Sequence, residues 1–333
     1  MVWNIIGHQT AIAFLKEHTK EGKTRHAYLI TGPDGVGKRT LALAFVKALN
    51  CQNLPADGEF CGECTSCRQI DNEQYSDLAV VQPEKGRDLR IEQIRALQQS
   101  LALAPYQSRY RTVLLMDFQK ATASASNALL KSLEEPPQRA MLILTADAAE
   151  NVLPTISSRC EVIRLKPSSV NDAVEGLKAH FSLEPKEATR LAHRSSGRIG
   201  TALSFARDEK ADMLYTANLE KLLELLPLSK RGRLAWAETA AKQKTTLRDV
   251  LADLLPVWLN FWRDCLIVKA EAELPLVNLE WHDQITQTAG LAAISDLQRL
   301  LAMHEKALDQ LESYVNARLI LEYLLINLPR VAI

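Results

Sequence analysis

The segment that most constrains the fold is the sequence GPDGVGKRT at residues 32–40, which follows the apolar run HAYLIT at residues 26–31. It nearly matches the phosphate-binding pattern G-x-x-x-x-G-K-[ST], in which main-chain N–H groups cradle phosphate oxygens and the Lys neutralises them. Gly32, Gly37 and Lys38 are in register with that pattern. A loop of this kind joins a strand to a helix at the carboxyl edge of a parallel sheet, so the segment predicts an α/β fold.

Apolar runs and amphipathic stretches alternate up to about residue 165. Five apolar runs are typical of strands that are buried on both faces, and they cover residues 26–31, 77–82, 112–117, 141–146 and 160–165. Helical stretches lie between them, and one of these should stop before Pro136 and Pro137. We expect Glu134 and Glu135 to end that helix rather than to act as catalytic carboxylates. The alternation predicts a doubly wound parallel sheet.

The remainder of the chain predicts helices alone. Short helical stretches occupy residues 170–207, and long Leu- and Ala-rich stretches follow from about residue 210. We therefore predict an α/β domain at 1–166, a small helical domain at 167–208 and a helical C-terminal domain at 209–333. Two interpretations of the apolar residues in the last domain stay open. They form a self-contained bundle core alone, or they also provide an apolar face that packs on other subunits.

Composition argues against a strongly charged surface and against a membrane span. The 333 residues include 40 Lys and Arg against 40 Asp and Glu, so any contact with DNA must come from a local patch or from partner subunits. The N-terminal sequence lacks the pattern of a signal peptide, and no apolar run approaches the ~18 residues of a membrane helix. We expect a cytoplasmic protein.

Four of the six cysteines crowd into a short segment, with the spacing C-x9-C-x2-C-x2-C. They are Cys51, Cys61, Cys64 and Cys67. Two residues between thiolates allow both sulfurs to bind one metal, and four thiolates fill a tetrahedral Zn²⁺ shell without leaving room for water. The pattern therefore predicts a structural zinc module at residues 51–67. The alternatives are four reduced cysteines in a flexible insertion and, less favoured because nothing here implies electron transfer, an iron–sulfur cluster.

Two positions of the nucleotide site lack the residues that hydrolysis requires. Arg39 stands where the Mg²⁺-binding hydroxyl belongs, and Thr40 comes one residue late. Asp117 at the end of a predicted strand can hold Mg²⁺ through water, but the next residue, Phe118, replaces the carboxylate that polarises the attacking water. A guanidinium also repels Mg²⁺. We expect no steady hydrolysis of ATP.

The loop nevertheless keeps groups that bind phosphate, since its glycines and Lys38 can offer main-chain N–H groups and a cation at a helix N-terminus. Occupancy by ATP or ADP and a simple glycine turn without a ligand both stay open. The residues of this vestigial site are Gly32, Gly35, Gly37, Lys38, Arg39, Thr40 and Asp117.

The order of motifs along the chain resembles the bacterial sliding-clamp loader family of DNA polymerase III, within the AAA+ superfamily. The motifs are the phosphate-binding loop, the four-cysteine insertion, LRIEQIRAL at 89–97, NALLKSLEEPP at 127–137 and SSRC at 157–160. They cover roughly residues 1–207, and the rest is similar only in helical character. Among the subunit types of this family, the delta-prime type matches best.

The resemblance implies an AAA+ domain with a zinc-binding insertion, a small helical lid domain and an all-α collar domain that oligomerises. It implies a structural and regulatory subunit that helps to load the sliding clamp on primed DNA during DNA replication, without catalysis of its own. The implied partners are gamma/tau and delta subunits in a hetero-oligomer of the polymerase holoenzyme. The clamp and primer-template DNA would be met through that complex.

The resemblance also assigns roles to single residues. Arg159 of SSRC corresponds to the family's arginine finger, which reaches the ATP of a neighbouring subunit. The family's G-x-x-R motif carries an Arg that senses the nucleotide. When the motif is aligned on Gly197, Gly200 holds the place of that Arg, and a shifted register would supply Arg198 instead.

Two alternative functions stay open for the whole chain. They are an ATP-hydrolysing gamma/tau-like motor subunit in which Thr40 binds Mg²⁺, and a generic zinc-binding nucleic-acid module.

Overall fold

The computed structural model of the chain describes residues 3, 5–20, 23–53, 58–84, 88–242, 246–313 and 315–331. Packing divides the chain into two compact units, Met1–Leu183 with Gly197–Thr201, and Glu184–Ser196 with Ala202–Ile333. The boundaries 1–166, 167–208 and 209–333 stay a prediction. Within the described residues, every helix is too short or too polar to cross a membrane.

A five-stranded parallel sheet forms the centre of the first unit. Its strands are β1 (Ala27–Thr31), β2 (Leu78–Val81), β3 (Arg111–Leu115), β4 (Ala140–Ala146) and β5 (Glu161–Arg164). They lie in the order β2-β3-β4-β1-β5, and every neighbouring pair is parallel. Each strand coincides with one of the five apolar runs that the sequence predicts to be strands, although β3 and β4 begin one residue before their runs.

Helices cover both faces of this sheet. They are α1 (Gln9–Lys20), α2 (Lys38–Asn50), α3 (Thr65–Asp71), α4 (Ile91–Leu101), α5 (Ala123–Glu134) and α6 (Pro154–Ser157). The helix α7 (Val170–Phe181) follows β5 in the same unit. Tyr28 and Ile30 of β1 are buried in a cluster with side chains of α1, α2 and α3. Ala27 and Leu29 point to the other face and are buried with α4, α5 and α6. The predicted α/β class with a doubly wound parallel sheet is therefore confirmed.

Local sequence sets both ends of α5. The Thr122 hydroxyl accepts a hydrogen bond from the Ala125 N–H at 3.3 Å, which caps the first turn. The helix ends at Glu134, just before Pro136 and Pro137, whose rings cannot continue it. The expectation that Glu134 and Glu135 end this helix is confirmed.

Helices and the loops that connect them form the described part of the second unit, which contains no strand. Its helices are α8 (Pro185–Arg194), most of α9 (Ile199–Arg207), α10 (Glu209–Leu225), α11 (Lys230–Ala240), α12 (Leu247–Lys269), α13 (His282–Leu291), α14 (Ile294–Glu312) and α15 (Ala317–Asn327). Trp258 and Trp262 of α12 are fully buried in its core. Arg190 and Arg194 both pair with Asp212, so ion pairs tie α8 to α10.

Candidate functional sites

The phosphate-binding loop lies between β1 and α2, at the carboxyl edge of the sheet. Gly32, Gly35 and Gly37 have φ angles of 150°, 76° and 108°, in the region that disfavours side chains. The Gly32 N–H donates to the Ala146 and Asp147 carbonyl oxygens at 3.1 and 3.0 Å, which fastens the loop to the end of β4. The glycine pattern is thus required by the backbone itself.

Lys38 is bonded to the loop that it belongs to. Its Nζ donates to the Gly32 carbonyl oxygen at 2.6 Å and pairs with Asp34 Oδ1 at 3.1 Å. The side chain is only 6% exposed. The ammonium therefore already has a carbonyl and a carboxylate as partners in place of phosphate oxygens.

A main-chain segment packs directly on this loop. The Gly200 N–H donates to the Gly35 carbonyl oxygen at 2.7 Å. A Cβ added at Gly200 would lie 2.8 Å from that same oxygen, and one added at Gly35 would lie 2.0 Å from Thr201 Oγ1. Gly200 holds the place that the resemblance assigns to the sensing Arg, and a side chain there requires the backbone to move. Arg198, the other candidate, is half-buried.

Arg39 is turned toward two partners that the sequence analysis missed. Its guanidinium pairs with Glu73, and Nη1 donates to Gln82 Oε1 at 3.2 Å. Thr40 is exposed on the next position of α2. The two residues offered for the Mg²⁺ position are therefore an ion-paired guanidinium and an exposed hydroxyl.

The end of β3 carries the remaining residues of the nucleotide site. The Asp117 N–H donates to the buried Thr145 Oγ1 at 3.0 Å, which joins the ends of β3 and β4. Phe118 is 2% exposed and packs in the cluster formed with α4, α5 and α6. Its ring occupies a core position, so the next residue after Asp117 provides neither a base nor a water ligand.

Arg159 lies between α6 and β5, on the surface of the first unit. Its Nη1 donates to the Thr155 carbonyl oxygen at 2.8 Å, and its Nη2 pairs with Glu134 Oε1 at 2.9 Å. The side chain is 38% exposed. Neither partner belongs to the phosphate-binding loop of this chain. Glu134 is a partner that the sequence analysis did not identify, because the two residues are far apart in sequence.

The four cysteines of the predicted zinc module come together. The Sγ atoms of Cys51, Cys61, Cys64 and Cys67 all lie within 4.8 Å of one another. The Cys51 and Cys61 sulfurs are 3.5 Å apart. Four thiolates at the usual Zn–S length of about 2.3 Å have sulfurs about 3.8 Å apart, so the cluster fits a tetrahedral metal site. It could hold a metal ion, and residues 54–57 of the predicted module lie outside the described part.

Main-chain donors around the sulfurs favour thiolates. The Cys61 N–H donates to the Cys51 Sγ, and the Cys64 N–H donates to the Cys61 Sγ, both at 3.3 Å. Burial would raise the pKa of Cys64, but N–H groups of Cys67 and Gln52 and the adjacent thiols lower it to about 6. Burial raises the pKa of Cys67. A divalent cation would stabilise all four as thiolates.

The cysteine module is fastened to the rest of the first unit through the residues before Cys61. Phe60 is buried, and the Lys47 ammonium lies 4.5 Å from the centre of its ring. Glu59 pairs with Lys16 of α1 at 2.5 Å. Loss of a metal here would therefore disturb contacts with both α1 and α2.

Comparisons with known proteins agree with the predicted resemblance. Residues 7–169 match the family model described as "DNA polymerase III, delta subunit". The delta-prime subunit of DNA polymerase III from Bacillus subtilis is 28% identical over 314 residues, which are 93% of this chain and 92% of that one. The delta-prime subunit from Haemophilus influenzae is 32% identical and is matched over 60% of this chain and 58% of its own length.

The tau subunit of DNA polymerase III from Escherichia coli is 30% identical over 206 residues, but this chain spans only 32% of its length. The delta-prime match, by contrast, runs through nearly the whole of both chains. Residues 7–169 thus match the model of the DNA polymerase III delta-subunit family, and nearly the whole chain is similar to a DNA polymerase III delta-prime subunit.

Proposed function

We propose that this chain is the delta-prime-like subunit of a DNA polymerase III clamp loader, which assembles with gamma/tau and delta subunits. In that complex it helps to load the sliding clamp on primed DNA and does not hydrolyse ATP. It holds a structural Zn²⁺ on its four cysteines and supplies Arg159 to the ATP site of a neighbouring subunit. The cytoplasmic location expected from the sequence stays a prediction.

The observation that carries this proposal is the burial of Phe118 in the core beside Asp117. Hydrolysis needs a group that orients and polarises water at this position, and a phenyl ring among apolar side chains cannot do so. The internal partners of Lys38 and the ion pair of Arg39 support the same conclusion, because both cations are already neutralised by this chain. Binding of ATP or ADP would have to displace the Gly32 and Asp34 contacts of Lys38.

The exposure of Arg159 supports its role in trans. A planar guanidinium that is always charged can bind two phosphate oxygens at once and stabilise the charge that develops as the phosphoryl group leaves. Both of its contacts are made at the surface, with the end of α5 and with α6. A guanidinium in such a place can leave a partner in its own chain and bind one on a neighbouring subunit.

The competing proposal is an ATP-hydrolysing subunit of the gamma/tau type, which the similarity to tau over 206 residues favours. It would require Thr40 to reach Mg²⁺ and a carboxylate to replace Phe118. Thr40 is exposed on α2, and Phe118 is buried. We therefore prefer the non-hydrolysing role.

The test is a reconstituted clamp loader that contains this chain or its Arg159→Ala variant. We expect Arg159→Ala to leave assembly, checked by size-exclusion chromatography, unchanged and to lower the ATPase rate stimulated by clamp and DNA. Arginine fingers elsewhere are worth roughly 10³–10⁵ in rate, and the other sites of the loader will dilute the loss. Arg159→Lys should rescue poorly because the fork geometry is lost.

Arg164→Ala is the matched control, since it removes an exposed arginine at the end of β5. Intact complexes with Arg159→Ala that load clamps at the wild-type rate would show that Arg159 is an ordinary surface arginine. ATPase activity of the isolated chain that disappears in Lys38→Ala would support the gamma/tau-like role instead.

A further inference from the structure

The Arg159 guanidinium is held in one position by two groups of its own chain. Glu134 is the last residue of α5, and Thr155 belongs to α6. The carboxylate takes Nη2 and the carbonyl oxygen takes Nη1, so both terminal nitrogens of the fork are in use. Among the described residues, Glu134 is the one acidic side chain within ion-pair distance of this guanidinium.

These contacts compete with phosphate. A guanidinium grips a phosphate by presenting two adjacent N–H groups to two oxygens. Nη2 pairs with Glu134 and Nη1 donates to the Thr155 carbonyl oxygen, so these two nitrogens cannot bind phosphate together while both contacts remain. A carboxylate beside the bound phosphate would also add like-charge repulsion. Phosphate and Glu134 are therefore alternative partners.

We propose that Glu134 positions Arg159 and competes with the neighbour's nucleotide, so that the arginine engages only after this ion pair is broken. The inference rests on the proposed function, in which Arg159 acts in trans. The carboxylate keeps the side chain folded on the flank until a group with more negative charge arrives. Glu134 touches Arg159 and no reacting atom, so it is a positioning residue.

The pair is weak enough to be exchanged. The Arg159 and Glu134 side chains are 38% and 52% exposed, and ion pairs at such exposure stabilise only slightly. Removing the carboxylate should therefore raise the affinity of the site served by Arg159 for nucleotide by roughly 1.5- to 5-fold. A triphosphate with its higher charge can overcome an ion pair of this strength.

The experiment uses the reconstituted loader and a fluorescent, non-hydrolysable ATP analogue. Binding is titrated with wild type, Glu134→Gln, Arg159→Ala and the double variant, and the KM and kcat of the ATPase are measured on the same complexes. The difference between complexes with and without Arg159 isolates the one site that this arginine serves. Glu135→Gln is the matched control, because it makes the same charge change one residue later, where no cation pairs with the side chain among the described residues.

We expect Glu134→Gln to lower the dissociation constant of the analogue and the KM for ATP by roughly 1.5- to 5-fold. It should have no effect when Arg159 is absent, and Glu135→Gln should have none in either background. Weaker or unchanged binding in Glu134→Gln, with a clear effect of Arg159→Ala, would overturn this inference and leave the proposed function standing. If Arg159→Ala itself changes neither binding nor rate, the trans role and this inference both fail.

Discussion

Arg233 lies in the core of the second unit, where no carboxylate of the described residues pairs with it. Its side chain is 1% exposed, and the guanidinium donates to five carbonyl oxygens. They are those of Leu225 (2.9 Å), Leu226 (2.7 Å), Leu325 (3.3 Å), Leu328 (2.6 Å) and Pro329 (2.7 Å). Burial, with a smaller effect of Arg330, lowers the pKa of Arg233. One cation thus satisfies the carbonyl ends of α10 and α15 together and fastens both to α11.

The cost of removing this group follows from two opposing effects. Hydrogen bonds from a charged donor contribute about 1.5–3 kcal/mol each, and a carbonyl left buried without a donor costs about 1–3 kcal/mol. Against this, burying an ion costs several kcal/mol, and that cost disappears with the guanidinium. We expect Arg233→Met, which keeps an unbranched apolar side chain but removes the guanidinium, to lower the free energy of unfolding of the second unit by about 3–5 kcal/mol.

The assay is urea unfolding followed by tryptophan fluorescence, because four of the five tryptophans lie in the second unit. Free energies are obtained by linear extrapolation. Arg231→Met is the control: it makes the same change at an exposed position of α11 and should stay within about 0.5 kcal/mol of wild type. If Arg233→Met is as stable as Arg231→Met, the carbonyl oxygens find water or other donors, and the reasoning from unsatisfied groups is refuted.

Three further predictions concern the first unit. Protein purified without added metal should contain about one Zn²⁺ per chain, lost in Cys64→Ser but kept in Cys160→Ser; metal analysis that finds iron or almost no metal would contradict the zinc assignment. Lys38→Ala should leave the ATPase rate of the assembled loader unchanged but lower the thermal stability of the chain. A lower ATPase rate with unchanged thermal stability would show that the loop binds nucleotide for hydrolysis. Buried Asp77 accepts main-chain N–H bonds whose effect exceeds that of burial and lowers the pKa of its carboxyl group, so its stabilisation is present at neutral pH and disappears as the pH falls below about 4. Asp77→Asn should therefore lower the free energy of unfolding, measured in urea, by about 1.5–3 kcal/mol at pH 7 and by much less near pH 3. An equal loss at both pH values would count against this account.

The sequence was sufficient wherever structure depends on local pattern. Strands buried on both faces appear as continuous apolar runs, and all five strands begin within one residue of the start of such a run. The helix α5 ends where Pro136 and Pro137 make continuation impossible. The cysteine cluster follows from its spacing, since two-residue gaps place sulfurs close together and Cys51 follows the end of α2 directly.

The sequence was insufficient to predict which ion-pair partner a long charged side chain binds in the folded protein. Arg39 was interpreted only as a cation in the wrong place, and its partners Glu73 and Gln82 come from residues much later in the chain. The resemblance predicts only that Arg159 reaches a neighbouring subunit, and its pairing with Glu134 depends on how the ends of α5 and α6 approach each other. Charge patterns predict that a cation will be exposed or paired, and only the fold decides with which carboxylate.

The phosphate-binding loop also has a structural role in this chain, which carries Arg39 and Phe118 at the hydroxyl and carboxylate positions of the pattern. Gly35 and Gly200 approach so closely that a Cβ on either would meet an atom at 2.8 Å or less, and the hydrogen bond between them is part of the packing of the first unit. Lys38 satisfies the Gly32 carbonyl oxygen from inside the loop. The glycines and the lysine therefore stabilise the fold whether or not a nucleotide binds. Because Phe118 belongs to the core, a carboxylate in its place would be a charge buried among the apolar side chains of that cluster, and it would require the core to rearrange.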